Sequence, residues 1–191
     1  MTGKEDRFTT IANKLAELKN TSELMIDLAY SSLLLNNVRI AEEVQTLEEH
    51  MDDLHTEFEQ LVLSSGFKPE ESKHFLGLIR LGVTTEQIAD AGAEIAQVVL
   101  RGLQSHPILK TAIEEAEETV AQVQVASGSS LIGKTLRQAQ IHEETGMWIL
   151  AIKRNNIWTR PKPSTVIKES DIIIASGYSE GEEALEALAS S

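Results

Sequence analysis

The hydrophobic period changes once along this 191-residue chain, near residue 120, and the two periods require two kinds of structure. Before that point apolar residues recur every three or four positions. Ile40, Val44, Leu47, Met51, Leu54, Phe58 and Leu61 step by 4 and 3 without a miss, and acids fill the gaps. This spacing predicts an amphipathic helix from Asn37 to Ser64, about 40 Å long at the helical rise. Gly66 is placed to end it. Pro69 starts the next, with Glu70 and Glu71 in a first turn where the helix dipole favours acids. An earlier helix carries Ile11, Leu15, Leu18, Met25 and Leu28 on one side, and Asn36-Asn37 marks the turn after it. A third, from Glu70 to Arg101, carries Phe75, Leu78, Ile79, Ile88, Ala91, Ile95 and Val98. Gly82 weakens it, Thr84-Thr85-Glu86 offers a second start inside it, and Gly102 ends it. A short helix from Pro107 to Thr119 follows, with Ile108, Ala112, Glu115 and Ala116. Long helices joined by short turns make an antiparallel helical bundle.

After residue 120 the pattern alternates or runs in short apolar blocks at strand length. Val120–Val125, Ile149–Ile152, Ile157–Thr159 and Asp171–Ala175 are the expected strands. Asn155-Asn156 suits a tight hairpin, because asparagine tolerates the left-handed conformation. Short helices at Lys134–Gln140 and Glu180–Leu188 complete a small α+β unit. The expected fold class is therefore α+β, with a helical bundle over residues 1–119 and an α+β domain over residues 120–191.

Composition narrows the chemistry. The absence of cysteine removes disulfides, thiolate metal sites and thiol nucleophiles, and points to a reducing compartment. The net charge of −13 is uneven. Residues 1–124 carry 10 basic against 22 acidic side chains, whereas residues 125–191 carry 7 against 8. Such an acidic surface repels phosphate backbones, so no nucleic-acid partner is expected. No run approaches the roughly 20 apolar residues of a membrane span. The start, Met1-Thr-Gly-Lys-Glu-Asp6, does not read as a signal peptide. A cytoplasmic protein is expected, meeting the membrane only through a transporter.

Gly128-Ser-Ser-Leu-Ile-Gly133-Lys134-Thr135 satisfies the phosphate-loop pattern G-x-x-x-x-G-K-[ST]. Its context argues against it. Only 56 residues follow Thr135, Asp171 precedes its apolar strand instead of ending it, and Leu131-Ile132 sets bulky groups in the loop. A turn with a helix cap, packed on Leu131 and Leu136, is the expected structure. The histidines, His50, His55, His74, His106 and His142, show no H-E-x-x-H spacing, and no catalytic triad order is present. The chain is not expected to be an enzyme.

The same stretch carries a resemblance. Ser130–Leu136, Glu144-Thr-Gly146, Ile149–Arg154, Arg160-Pro-Lys-Pro163, Thr165–Lys168 and Asp171–Ile174 follow in order and resemble the TrkA-C (C-terminal RCK) domain of potassium channel and transporter regulators. Ser170 departs from it, where that family often has glycine. The resemblance implies a homodimer binding a small-molecule effector at its interface, in some relatives cyclic di-AMP or another nucleotide. By position, the ligand-binding candidates are Ile149, Ile152, Arg154, Asn156, Ile157 and Pro163. Apolar residues would face a base, Arg154 a phosphate, and Asn156 would supply amide hydrogen bonds. The isoleucines equally suit plain strand burial.

The helical half resembles a PhoU-type bundle, a family with two acid-x-x-x-acid motifs that bind metal in some members. Leu47-Glu48-Glu-His-Met-Asp52-Asp-Leu54 fits the first. Glu49 and Asp53 share the spacing there, but the family's apolar-acid-x-Leu pattern falls on Met51–Leu54 and favours Glu48 and Asp52. Thr85-Glu86-Gln-Ile-Ala-Asp90-Ala-Gly92 fits the second. The metal candidates are thus Glu48, Asp52, Glu86 and Asp90, for a divalent or iron-type ion. Acids four apart share one helix face. Glu86 and Asp90 are expected to point away from the apolar stripe, with Glu48 and Asp52 flanking theirs. Together the halves resemble archaeal regulatory proteins related to potassium channels, acting on a membrane potassium channel or cation transporter. The alternative is a metal-binding PhoU-like adaptor in phosphate signalling, with TrkA-C as its dimerisation module.

Overall fold

The computed structural model describes residues 3–102, 107, 108, 111 and 118–190. Three long helices come first: α1 (Gly3–Leu34), α2 (Val38–Leu63) and α3 (Ser72–Leu100). Asn36, at φ +50°, turns the chain between α1 and α2. Lys14 on α1 reaches Glu57 on α2 at 2.9 Å, as helices running in opposite directions allow. The stripe on α2 is buried at Ile40, Val44, Met51, Leu54 and Phe58, but at its end Val62 is buried and Leu61 only half so. A strict 4-3 step drifts around a 3.6-residue helix, and the core-facing position moves by one residue.

Past Gly66, at φ +68°, Pro69–Glu71 form a 3-10 turn in which Glu71 Oε2 accepts the Lys68 amide at 2.9 Å. The third helix therefore begins at Ser72, two residues later than its sequence predicts. It runs unbroken through Gly82. Thr84 and Thr85 start nothing: their hydroxyls donate to the carbonyls of Arg80 and Leu81 at 3.0 and 2.8 Å.

The largest departure is the face α3 buries. It packs through Gly82, Thr85, Ala89, Gly92, Ala96 and Val99, while Ile88 stays 47% exposed and Ala91 is exposed too. Small side chains let helix backbones approach closely, and here that outweighs seating the larger isoleucines. A Cβ on Gly82 would lie 2.8 Å from Phe58 Cε1, so the ring occupies the space where a side chain would be. At Gly77, in the same helix, a Cβ would meet nothing within 4 Å. Gly82→Ala should therefore cost about 1–3 kcal/mol by overpacking. Gly77→Ala should gain up to about 1 kcal/mol from helix propensity. Thermal melts of the two variants should move in opposite directions.

The expected helix at Pro107–Thr119 lies largely outside the described residues. Pro107 and Ile108 are helical, but Thr119 belongs to the first strand. The second unit is a four-stranded antiparallel sheet of β1 (Glu118–Gln124), β2 (Trp148–Arg154), β3 (Ile157–Thr159) and β4 (Ile172–Tyr178), in the order β1-β4-β2-β3. Asn155 and Asn156, at φ +50° and +65°, make the β2–β3 turn that their side chains favour. The helix expected at Lys134–Gln140 is α4 (Leu136–Ala139), ended by left-handed Gln140, and a second short helix not expected from the sequence, α5 (Ile141–Thr145), follows it. A terminal helix, α6 (Glu180–Ser190), follows β4. Ile152, Ile173, Val123, Met147 and Leu185 meet in the core of this unit.

Candidate functional site

A groove of about 360 Å³ opens beside β2, lined among others by Leu136, Arg137, Trp148, Ile149, Lys162 and Pro163. Local hydrogen bonds build it. Thr135 Oγ1 accepts the Gln138 amide at 3.2 Å and fixes the start of α4. The amides of Leu136 and Arg137 then donate to the carbonyls of Thr165 and Pro163 at 2.9 and 3.0 Å, drawing the proline-rich segment alongside. The Lys162 amide donates to Thr165 Oγ1 at 2.8 Å and closes that segment on itself. Exposed Arg137 and Lys162 thus stand at one groove with an apolar floor. Trp148 is 61% exposed and stacks on His142, ring centres 3.6 Å apart. His142 Nδ1 is buried with no hydrogen-bond partner among the described residues.

The six expected ligand residues divide. Ile149 and Pro163 line the groove. Ile152, 1% exposed, lies in the core. Asn156 and Ile157 are exposed at the hairpin, beyond the far end of β2. Arg154 holds the buried carboxylate of Asp171 with two hydrogen bonds, Nε to Oδ1 at 2.7 Å and Nη2 to Oδ2 at 2.6 Å. Its Nη2 also donates to the Val166 carbonyl at 2.7 Å, and the Lys168 amide donates to Asp171 Oδ2 at 2.8 Å. The side chain sequence reasoning pointed at a phosphate therefore ties β2 to the start of β4.

The glycine-rich loop has few donors for a phosphate. The amides of Ser129, Ile132, Gly133 and Lys134 donate to carbonyls of Ala126, Ser129, Ile167 and Leu131. Those of Leu131 and Thr135 donate to the side chains of Ser129 and Gln138. Leu131 is buried, as a packed turn requires.

On the bundle, Glu48, Asp52 and Asp90 each bring a carboxylate oxygen within 4.8 Å of the others. The shifted packing face of α3 does this, by turning Asp90 toward α2 and not away from the apolar stripe. Burial, then the carboxylates of Asp52 and Asp90, push Glu48 above the ordinary carboxylate range. Glu86 is pushed up by burial and then by Asp90, with His55 opposing. Ligand oxygens 2.3–2.6 Å from a calcium-sized ion stand up to about 5 Å apart, so this all-oxygen set fits a hard divalent cation.

Residues 15–99 match the PhoU domain, and residues 120–190 match the TrkA-C domain. The chain joins a PhoU domain to a TrkA-C domain. No curated protein is significantly similar to it. Among solved structures, this chain is similar to the RCK_C domain dimer of S. agalactiae BusR in complex with c-di-AMP. That match is 23% identical, covers 36% of this chain and 92% of the other, and has a TM-score of 0.35. The KtrA RCK C domain in complex with c-di-AMP is 21% identical over 42% of this chain and 93% of its own, at TM-score 0.35. BusR in complex with its busAB-promotor DNA is 14% identical over 83% of this chain and 96% of its own, at TM-score 0.36. Of the GsuK channel bound to NAD, this chain covers only 20%.

Sequence reasoning did not offer Arg137, His142, Trp148 or Lys162 of the TrkA-C domain as ligand residues. The one available signal was Trp148, an exposed aromatic at a strand start in a chain with two tryptophans. Across the described residues of both domains, no helix is long and apolar enough to cross a membrane.

Proposed function

We propose that this protein regulates potassium or other cation transport by binding a small anionic effector in the TrkA-C groove, which a second copy of the chain completes. The observation that carries the reading is the pairing of Arg137 and Lys162 over the apolar floor of Leu136, Ile149 and Pro163. Cations hold a phosphate while an apolar wall takes a base, and Trp148 adds a stacking surface at the rim. This domain is nearly charge-neutral, whereas the bundle would repel an anion. Cyclic di-AMP is the probe the TrkA-C resemblance implies. At 100-fold over its dissociation constant it should stabilise the domain by about 2.7 kcal/mol. Arg137→Glu with Lys162→Glu should abolish that shift and leave the ligand-free melt unchanged, since both side chains are exposed. A melt unmoved by saturating cyclic di-AMP or adenine nucleotides counts against the reading.

A second reading rests on the acidic cluster of the PhoU domain: a metal-binding adaptor in phosphate signalling, with TrkA-C as dimerisation module. Here Glu48, Asp52 and Asp90 would hold the ion, with Glu86 beside them. Glu86→Gln with Asp90→Asn separates the two. Loss of metal and partner binding with an intact effector response favours the adaptor.

A further inference from the structure

The exposed side of α3 is apolar in a regular spacing. Gly77, Leu81, Thr84, Ile88, Ala91 and Ile95 follow at intervals of 4, 3, 4, 3 and 4. Leu81 is 49% and Ile88 47% exposed, and Gly77, Thr84 and Ala91 are exposed as well. This is a heptad seam on the outside of a three-helix bundle whose core uses another face of the same helix.

Two properties of the seam say what covers it. Its spacing reads the same in both directions, so two copies laid antiparallel align residue for residue. Gly77 meets Ile95, Leu81 meets Ala91, and Thr84 meets Ile88. The flank is self-complementary in charge: Arg80 and Glu94 stand seven residues either side of Gln87, all three exposed. Antiparallel pairing sets this flank against the same flank of the partner, Arg80 beside Glu94, whereas parallel pairing sets it against the opposite flank, Leu78, Thr85 and Gly92, which offers no charge partner. A face complementary to itself in both respects fits a twofold contact. We propose that the bundle docks onto a second copy of this chain through α3, with the two helices antiparallel, the axis level with residue 86 and Gln87 beside it on the flank.

The absence of cysteine makes the test direct, since one introduced thiol is the only thiol. In the full chain, Gln87→Cys should cross-link to its own copy through a short bismaleimide. Lys73→Cys should not, because in the antiparallel register its counterpart lies about 40 Å away. Adding Leu81→Glu with Ile88→Glu should abolish the Gln87→Cys cross-link without lowering the melting temperature. Adding Arg80→Glu should reduce it, and Arg80→Glu with Glu94→Arg should restore it. The proposal is overturned if Gln87→Cys yields no cross-linked dimer. It is equally overturned if Lys73→Cys cross-links as readily, or if the cross-link survives the two glutamates. Association through the TrkA-C domains alone leaves the Gln87→Cys result negative.

Discussion

Asp171→Ala is expected to lower the melting temperature of the TrkA-C domain by on the order of 10–20 °C. The carboxylate is buried and receives two hydrogen bonds from Arg154 and one from the Lys168 amide. Removing one partner of a buried ion pair costs about 3–5 kcal/mol, because the other charge is left without compensation. Arg154 keeps 31% of its side chain exposed, so water relieves part of that penalty and the lower end, about 3 kcal/mol, applies. Arg154→Lys should recover little, since an ammonium cannot make the two parallel hydrogen bonds. Circular dichroism melts of the parent and both variants test this. A drop under about 2 °C for Asp171→Ala would show that the pair does not hold β2 to β4. Effector affinity gives a second readout: Arg154→Lys should change it only as far as it unfolds the domain.

Raising the pH from 5 to 8 without divalent cations is expected to destabilise the helical bundle, and adding a divalent cation to reverse the loss. Burial pushes the Asp27 carboxyl from 3.8 to about 6, and Glu48 and Glu86 are also raised. A carboxyl harder to ionise in the folded state lends its stability below the unfolded pKa. That stability is lost as pH climbs through the folded pKa, here between about 4 and 6 for Asp27. Asp27 is partly in solvent, so its share is about 1 kcal/mol after screening. Asp27→Asn should remove that share and flatten the profile. Glu48→Gln should raise the melting temperature at pH 7.5 in chelator by relieving repulsion from Asp52 and Asp90. A cation at 100 times its dissociation constant adds about 2.7 kcal/mol at pH 7.5. At pH 5 protons compete for the oxygens and the gain shrinks. If Glu48→Gln melts below the parent in chelator, like-charge crowding is not the source of the pH dependence.

These expectations draw on features that the sequence discloses unequally. The α2 stripe and the four strands are written in plain periodicity, and Asn155-Asn156 announces its turn. The face of α3 is not, because a pattern of large apolar residues cannot reveal that Gly82, Ala89 and Ala96 pack better against α2 and α1 than Ile88 does. The acid pairs are legible at spacing four on each helix. Their convergence depends on the rotation of α3, which no local signal carries. The groove is hidden for a similar reason: Arg137 and Lys162 are 25 positions apart and meet because the α4 amides bond the carbonyls of Pro163 and Thr165. The Arg154–Asp171 pair spans 17 positions, and nothing local to either residue marks the other as its partner.

The seat of the Phe58 ring on Gly82 also governs how the bundle can move. Sliding α2 along α3 by one helical turn would drive that ring onto Leu78 or Glu86, neither of which leaves room for it. That contact opposes lengthwise slip of α2 against α3. The pair is thereby keyed in register at one point along its length, as a pin keys two bars.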